Sequence, residues 1–346
     1  MKKKQVSIKS IATALNISVT TVSFVLNGKA EEKHISKDMT QKVLDYVKKI
    51  NYRPNQIAQS LRTGKSKILV FMVEDISNNF FSKLARIIED KAYEKGYKVI
   101  FCSNENDDNK SEELIHLFNF RMVDGFIIVP SPGMQQVIEQ LIDENIPVVL
   151  LDRYFSDLDS NFVIVNNDEA AYNATEHLIK NKYSQIGFIT TDTSQTQMLD
   201  RLNGYKRAVS DHGLVSNILC IPYNETSTQV SRDLICSFVA DNPDLDSLFF
   251  STNYLALRGL ESLKADLKAD FNMVMKDFGV VTFDDNEFFS ICNPTITAVA
   301  QPLYEIGEEL MKLMLNLLKK TDGKPQKIVL NAELKIRESS KPKLIF

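Results

Sequence analysis

The 346-residue sequence predicts two fold classes in series, a short all-α unit followed by a long α/β unit built on parallel sheets. Three observations predict it. Near the N-terminus, apolar residues recur at helical spacing in two brief stretches separated by a turn. From Ile68 onward, short β-rich apolar runs alternate with longer helical patterns. Charge also changes sign: residues 1–65 hold 13 Lys or Arg against 4 Asp or Glu, a net of +9, and the remaining 281 hold 28 against 41, a net of −13. Such asymmetry points to a polyanion as the partner of the basic part alone, which the overall net of −4 conceals.

Ile8, Ile11, Ala12 and Leu15 share one helix face, and Val22, Val25 and Leu26 form a second stripe after the interruption Asn16-Ile17-Ser18. Asn tolerates the left-handed backbone that such a turn needs, and Ser7 and Ser18 are suited to cap the two helices. Two short helices joined by a tight turn are the signature of a helix-turn-helix, whose second helix enters a DNA major groove. The pattern would also suit a helical hairpin packed on another surface; the basic charge favours nucleic acid. A third helix is predicted over Lys37–Ile50, capped by Ser36, with Val43, Leu44, Val47 and Ile50 closing a three-helix core. Pro54 ends this unit, because the residue before a proline resists the helical region. Gln56–Arg62 offers one or two helical turns, too few to be stable alone in water, so its order should depend on a partner.

The strand-like runs that follow are Ile68–Val73, Lys98–Cys102, Gly125–Val129, Val148–Leu151, Ile186–Thr190, Leu248–Ser251, Val280–Phe283 and Thr297–Ala300. Helical patterns lie between them, among them Phe81–Lys95, Ser111–Arg121, Gln135–Asn145, Asp168–Asn181, Asp200–His212 and Ser227–Val239. Near-continuous apolar strands alternating with helices mean parallel sheets covered on both faces. Ligands of such sheets sit outside the carboxyl ends of the strands. Polar residues fall there: Asp75, Ser131, Asp152, Arg153, Thr252, Asn253, Asp284 and Asp285.

Several classes are excluded or disfavoured. No apolar run approaches the roughly 20 residues of a membrane helix, and no apolar segment follows the Lys-rich start to make a secretory signal. Cys102, Cys220, Cys236 and Cys292 lie far apart and read as buried thiols in a reducing, cytoplasmic compartment. Dinucleotide, phosphate-loop, metalloprotease and nucleophile-elbow motifs are missing. The histidines at 34, 116, 177 and 212 show no triad or metal spacing, and His177, within an apolar helical pattern, reads as structural. No catalytic residue, metal ligand or cofactor is expected.

Taken together and in order, these residues resemble the lactose-repressor/galactose-repressor family of bacterial transcription regulators over essentially the whole chain. The helix pair matches in spacing. Asn-Tyr-Arg-Pro-Asn-Gln-Ile-Ala-Gln-Ser-Leu (51–61) resembles the family's hinge, and Asp75-Ile-Ser-Asn-Asn-Phe-Phe81 its first sheet-to-helix loop. Val-Pro-Ser (129–131), Leu-Leu-Asp-Arg (150–153), Val-Val-Thr-Phe-Asp-Asp (280–285) and Ile296-Thr-Ala-Val-Ala-Gln-Pro302 fit in sequence. The resemblance implies a DNA-binding headpiece over residues 1–50, a hinge helix and linker over 51–65, and a two-lobed, periplasmic-binding-protein-like core over 66–346. It also implies a homodimer on operator DNA, usually repressing, whose affinity is switched by a small molecule, with no membrane partner.

Carried over by position, Val19, Thr20 and Phe24 fall where the family reads base edges. Ser18, Thr21, Ser23, Asn27 and His34 fall where it approaches phosphates, a task that fixes register without reading sequence. Leu61, with Ala58 and Asn55, falls where the family's hinge enters the minor groove; apolar wedges of this kind unstack a base step and bend the duplex. The resemblance places Asp75, Phe81, Ser131, Asp152, Arg153, Arg201 and Asp284 around the interlobe cleft. Carboxylates that accept hydroxyl hydrogens, and guanidiniums that donate in a fixed fork, suit a sugar or polyol. A purine-like or phosphorylated ligand stays open, as do an enzyme or a solute-binding protein using the same core. Departures from the family pattern matter too. Phe24 replaces a common Arg and can meet a thymine methyl or turn inward to pack. Ala30-Glu31-Glu32-Lys33 lengthens a loop, and Thr252-Asn253 lacks a carboxylate that many members carry, while Tyr254 can add a ring.

Overall fold

Hydroxyl caps define the first helices. The structure, a computed structural model, describes residues 7–52, 64–267, 278–319 and 323–343; the expected hinge residues Asn55, Ala58 and Leu61 lie outside them. Two compact units result, Met1–Lys67 and Ile68–Phe346. In the first, Ser7 and Ser10 cap α1 (Ile8–Leu15) reciprocally, each hydroxyl accepting the other's backbone N–H. Asn16 ends α1 at φ 54°, and Ser18 accepts the Thr21 N–H at 2.9 Å to start α2 (Val19–Leu26). The chain turns by 113° between them, within the roughly 90–120° of a helix-turn-helix. With α3 (Lys37–Lys49) they bury Ile11, Ala12, Val22, Val25, Ala30 and Val43. Leu44, expected in this core, is 42% exposed: one step round the helix from Val43 carries it off the apolar face.

The second unit has two lobes, each a doubly wound sheet. In the first lobe, β1 (Ile68–Val73), β2 (Lys98–Ser103), β3 (Gly125–Ile128), β4 (Val148–Leu151), β5 (Phe162–Val165) and β11 (Lys327–Leu330) lie in the order β2-β1-β3-β4-β5-β11, all parallel. The second lobe repeats the plan with β6 (Ile186–Thr191), β7 (Asn217–Ile221), β8 (Ser247–Phe250), β9 (Gly279–Phe283), β10 (Thr297–Ala300) and β12 (Glu333–Lys335) in the order β7-β6-β8-β9-β10-β12. Only β12 runs antiparallel among the described strands. In the first lobe, α4 (Asn79–Glu94) and α12 (Leu303–Leu318) cover one face, and α5 (Asp108–Phe120) and α6 (Gln135–Asp143) the other. In the second, α7 (Asn167–Lys180) and α8 (Thr196–Asp211) face α9 (Gln229–Asp241) and α10 (Asn253–Leu267) across the sheet. The short α11 (Glu287–Ile291) follows β9.

Expected strands are all present; β5, β7, β11 and β12 have no counterpart among the apolar runs of the sequence reading. The chain passes between the lobes after β5, β10 and β11. Asn166 ties two of these passages, donating its N–H to Leu330 O at 2.9 Å and accepting the Ala332 N–H on Oδ1 at 2.8 Å. In both lobes strand order reverses beside the first strand, at β1/β3 and β6/β8, the position where open sheets hold ligands. One sequence expectation needs correcting: Cys220 is exposed, on the edge strand β7, and the other thiols are only half-buried.

His177 is structural. Its Nε2 lies 2.8 Å from Ser340 Oγ and 3.2 Å from the Asn181 amide, which itself donates to Ser340 O at 2.7 Å, so the ring ties the C-terminal segment to α7. Burial holds this imidazole below its ordinary pKa. The unfolded chain, with its His near about 6.5, therefore binds more protons, and stability falls as pH drops below that value. Urea midpoints at pH 7.5 and 5.5 should show this loss, and His177→Gln should remove part of it. An unchanged pH dependence in the variant would assign the loss elsewhere.

Candidate functional site

On α2, the face opposite the core carries Val19, Thr20, Ser23, Phe24 and Asn27. Val19 is 47% exposed despite being apolar. Phe24 has not turned into the core: it is half-buried outside the apolar cluster, with Lys33 Nζ 5.7 Å from its ring centroid. Ser18 and Thr21 share a hydrogen bond of 2.8 Å, and the Asn27 amide donates to Ser23 O at 2.7 Å. These local bonds hold the hydroxyls and amide at fixed positions along the outer face. His34 is exposed in the lengthened loop, at φ 52°.

The interlobe cleft assembles from strand ends. Asp152 follows β4 and Asp284 follows β9, both in the left-handed backbone region at φ 68° and 67°. Non-glycine residues rarely adopt it, and where they do a function often holds them there. Arg153, buried at 4% exposure, donates to Glu74 Oε2, to Asn106 Oδ1 at 3.1 Å and to Asp152 Oδ2 at 3.3 Å. Burial opposes its charge, but Glu74 and Asp152 more than offset that and hold its pKa above the ordinary value. Asp152 is pushed upward by burial against the pull of Arg153 and Arg201.

Arg201 is the counterpart in the second lobe. Its Nε donates to Asn167 Oδ1 at 2.9 Å, its Nη1 to Ser251 O at 2.8 Å, and its guanidinium lies 3.7 Å from the Phe283 ring centroid. Asp284 Oδ2 stands 3.6 Å from Nη1, and the other oxygen accepts from Gln301 at 2.6 Å. Around these groups lies a chamber lined also by Phe80, Phe81, Thr191, Gln197, Thr252 and Tyr254. Burial and the nearby Glu74 keep the Tyr223 and Tyr254 hydroxyls protonated, so both remain donors.

Two lining atoms, Thr191 Oγ1 and Gln197 Oε1, are buried with no hydrogen-bond partner among the described residues. An unmet buried polar group costs about 1–3 kcal/mol. A ligand with hydroxyls would satisfy both.

Of the expected effector residues, Phe81, Asp152, Arg153, Arg201 and Asp284 come together here. Asp75 does not. Its two oxygens accept the Ser77 N–H at 2.8 Å and the Ser77 hydroxyl at 2.7 Å, forming the turn before α4, and the residue is exposed. Glu74, directly after β1, faces the chamber instead. Ser131 is also outside: wholly buried, it pairs with Ser111 at 2.9 Å and lines an adjoining compartment. Glu74 and Thr191 obey the strand-end rule and could have been found by it. Asn106 and Gln195 lie on loops, Tyr223 opens a short 3₁₀ helix (Tyr223–Glu225), and none of them carried a periodic signal.

Comparison with known proteins is consistent along the chain. Residues 7–55 match the profile described as bacterial regulatory proteins, lacI family, and residues 65–338 that of periplasmic binding proteins and sugar binding domain of LacI family. The HTH-type transcriptional regulator RegA of Clostridium saccharobutylicum is 31% identical, covering 96% of this chain and 99% of its own. The ribose operon repressor of Halalkalibacterium halodurans is 29% identical, covering 97% of each chain. In fold, the crystal structure of the lac repressor dimer bound to operator and the anti-inducer ONPF superposes with a TM-score of 0.83 at 20% identity, covering 98% of this chain and 100% of that one.

Proposed function

The chain belongs to the LacI family of bacterial regulatory proteins and is a DNA-binding transcription regulator, and we propose that its operator affinity is switched by a neutral, polyhydroxylated ligand in the interlobe chamber. The chamber's chemistry carries this reading: Glu74, Asp152 and Asp284 surround Arg153 and Arg201, with Thr191 and Gln197 awaiting partners. Three carboxylates against two guanidiniums disfavour a phosphate, whereas each carboxylate can accept hydroxyl hydrogens. A purine has too few donors to meet them.

In the same reading residues 1–50 form the headpiece, 51–65 the hinge and 66–346 the core. Val19, Thr20 and Phe24 meet base edges, Phe24 through apolar contact, while Ser18, Thr21, Ser23, Asn27 and His34 approach phosphates. Asn55, Ala58 and Leu61 serve the minor groove at the centre of a site bound by a homodimer, as half-site geometry demands. The effector acts by binding two arrangements of the lobes unequally.

A thermal-shift panel of neutral pentoses, hexoses, their phosphates and nucleobases tests the ligand class. A matching ligand at a hundredfold excess over its Kd stabilises by about 2.7 kcal/mol, and should then change affinity for DNA upstream of the neighbouring genes. Stabilisation by phosphorylated sugars or nucleobases alone would overturn the reading.

A further inference from the structure

We propose that Gln195 and Asn106, clamped by Arg153, form a partition across the cleft that shuts a second sugar ring out of the compartment beyond it; the proposal rests on the polyol reading above. The chamber around Arg201 has a neighbouring compartment. Arg153 and Gln195 line both spaces and so stand in the wall between them. Gln195 Nε2, from the second lobe, donates to Asn106 Oδ1 of the first at 2.6 Å. Arg153 Nη1 donates to the same oxygen at 3.1 Å. A bond of that length leaves no gap for a glycosidic bridge.

On the first-lobe side the wall is held by a tight turn. Glu105 and Asn106 stand consecutively in the left-handed region, at φ 56° and 59°, and the Asn106 N–H donates to Asn104 Oδ1 at 3.0 Å. Asn104, 1% exposed, is itself fixed to Val129 O at 3.1 Å. The strained turn thus presents one amide oxygen to the opposite lobe. Beyond the wall, Tyr154, Phe155, Gln135 and Thr196 line the second compartment, which has no charged side chain besides Arg153. Rings and neutral polar groups of this kind suit a second sugar ring, so the compartment is chemically fit for the residue that the partition keeps out.

Gln195→Ala removes the donor, and Asn106 Oδ1 keeps Arg153 as a partner, so no buried acceptor is orphaned. Asn106→Gly removes the acceptor from the other lobe while tolerating the positive φ. Calorimetric titration of the full chain with neutral pentoses and hexoses, and with disaccharides built from them, reads the ratio of affinities. Wild type should prefer one ring by about tenfold or more, and each variant should narrow that preference by about tenfold. A wild-type protein that binds a disaccharide as tightly as its single ring overturns the partition, as does an unchanged ratio in both folded variants. Failure of every sugar with wild type and variants alike overturns the polyol reading and this inference with it.

Discussion

Replacing Arg201 with alanine is expected to weaken effector binding by roughly a hundredfold or more, since hydrogen bonds from a charged donor contribute about 1.5–3 kcal/mol each. The side chain is 2% exposed, and three neighbours fix its plane: Asn167, the Ser251 carbonyl and the face of Phe283. Nη2 has no hydrogen bond among the described residues, and with Nη1 it forms a fork preset for two oxygens of a ligand. Truncation also leaves Asp284 buried beside Asp152 with one cation fewer, and breaking a buried pair costs about 3–5 kcal/mol. Thermal denaturation should therefore fall with affinity. Arg201→Lys separates the two effects: an ammonium restores charge near Asp284 but cannot reach Asn167 and Ser251 in one plane. It should regain stability before affinity. An alanine variant that binds the ligand within a few-fold of wild type would remove Arg201 from the site.

Much of this site was legible because chemistry sits at strand ends and strands buried on both faces are easy to read. Val148–Leu151 is apolar throughout, so its end, and with it Asp152 and Arg153, could be placed to the residue. At β1 the motif match pointed to Asp75, on the open side of the cleft, and passed over Glu74, which faces the chamber. Asp75 shapes the turn before the Asn78-capped helix, whereas Glu74 is the one whose position follows from the strand. Edge strands were hidden for the opposite reason. Lys327–Leu330 and Glu333–Lys335 have alternating or polar faces and pair on one side only, so nothing forces an apolar run. The partition was beyond reach because Gln195 and Asn106 are 89 positions apart and meet only when two lobes face each other.

The effect of Gly204→Ala should run against helix propensity. In an ordinary helix interior this change stabilises by about 1 kcal/mol. Here α7 crosses α8 in backbone contact: a Cβ on Gly204 would overlap the Asp168 carbonyl oxygen and lie 2.9 Å from the Tyr172 nitrogen. Neither atom can swing aside as a side-chain tip could, so the helices must part. Overpacking of this kind costs about 1–3 kcal/mol, occasionally more, and the propensity gain offsets only part of it. The displacement also reaches the chamber. Arg201 lies one turn earlier on α8 and holds Asn167, the first residue of α7, at 2.9 Å. Separating the helices stretches that bond and moves the guanidinium relative to Asp284. Lower denaturation temperature together with weaker effector binding is the expected pair of results. Asn203→Ala, on the exposed face next to it, supplies the same kind of helix former without the clash and should leave both readouts near wild type. If Gly204→Ala instead raised the denaturation temperature as Asn203→Ala can, the backbone contact between α7 and α8 would not be what positions Arg201.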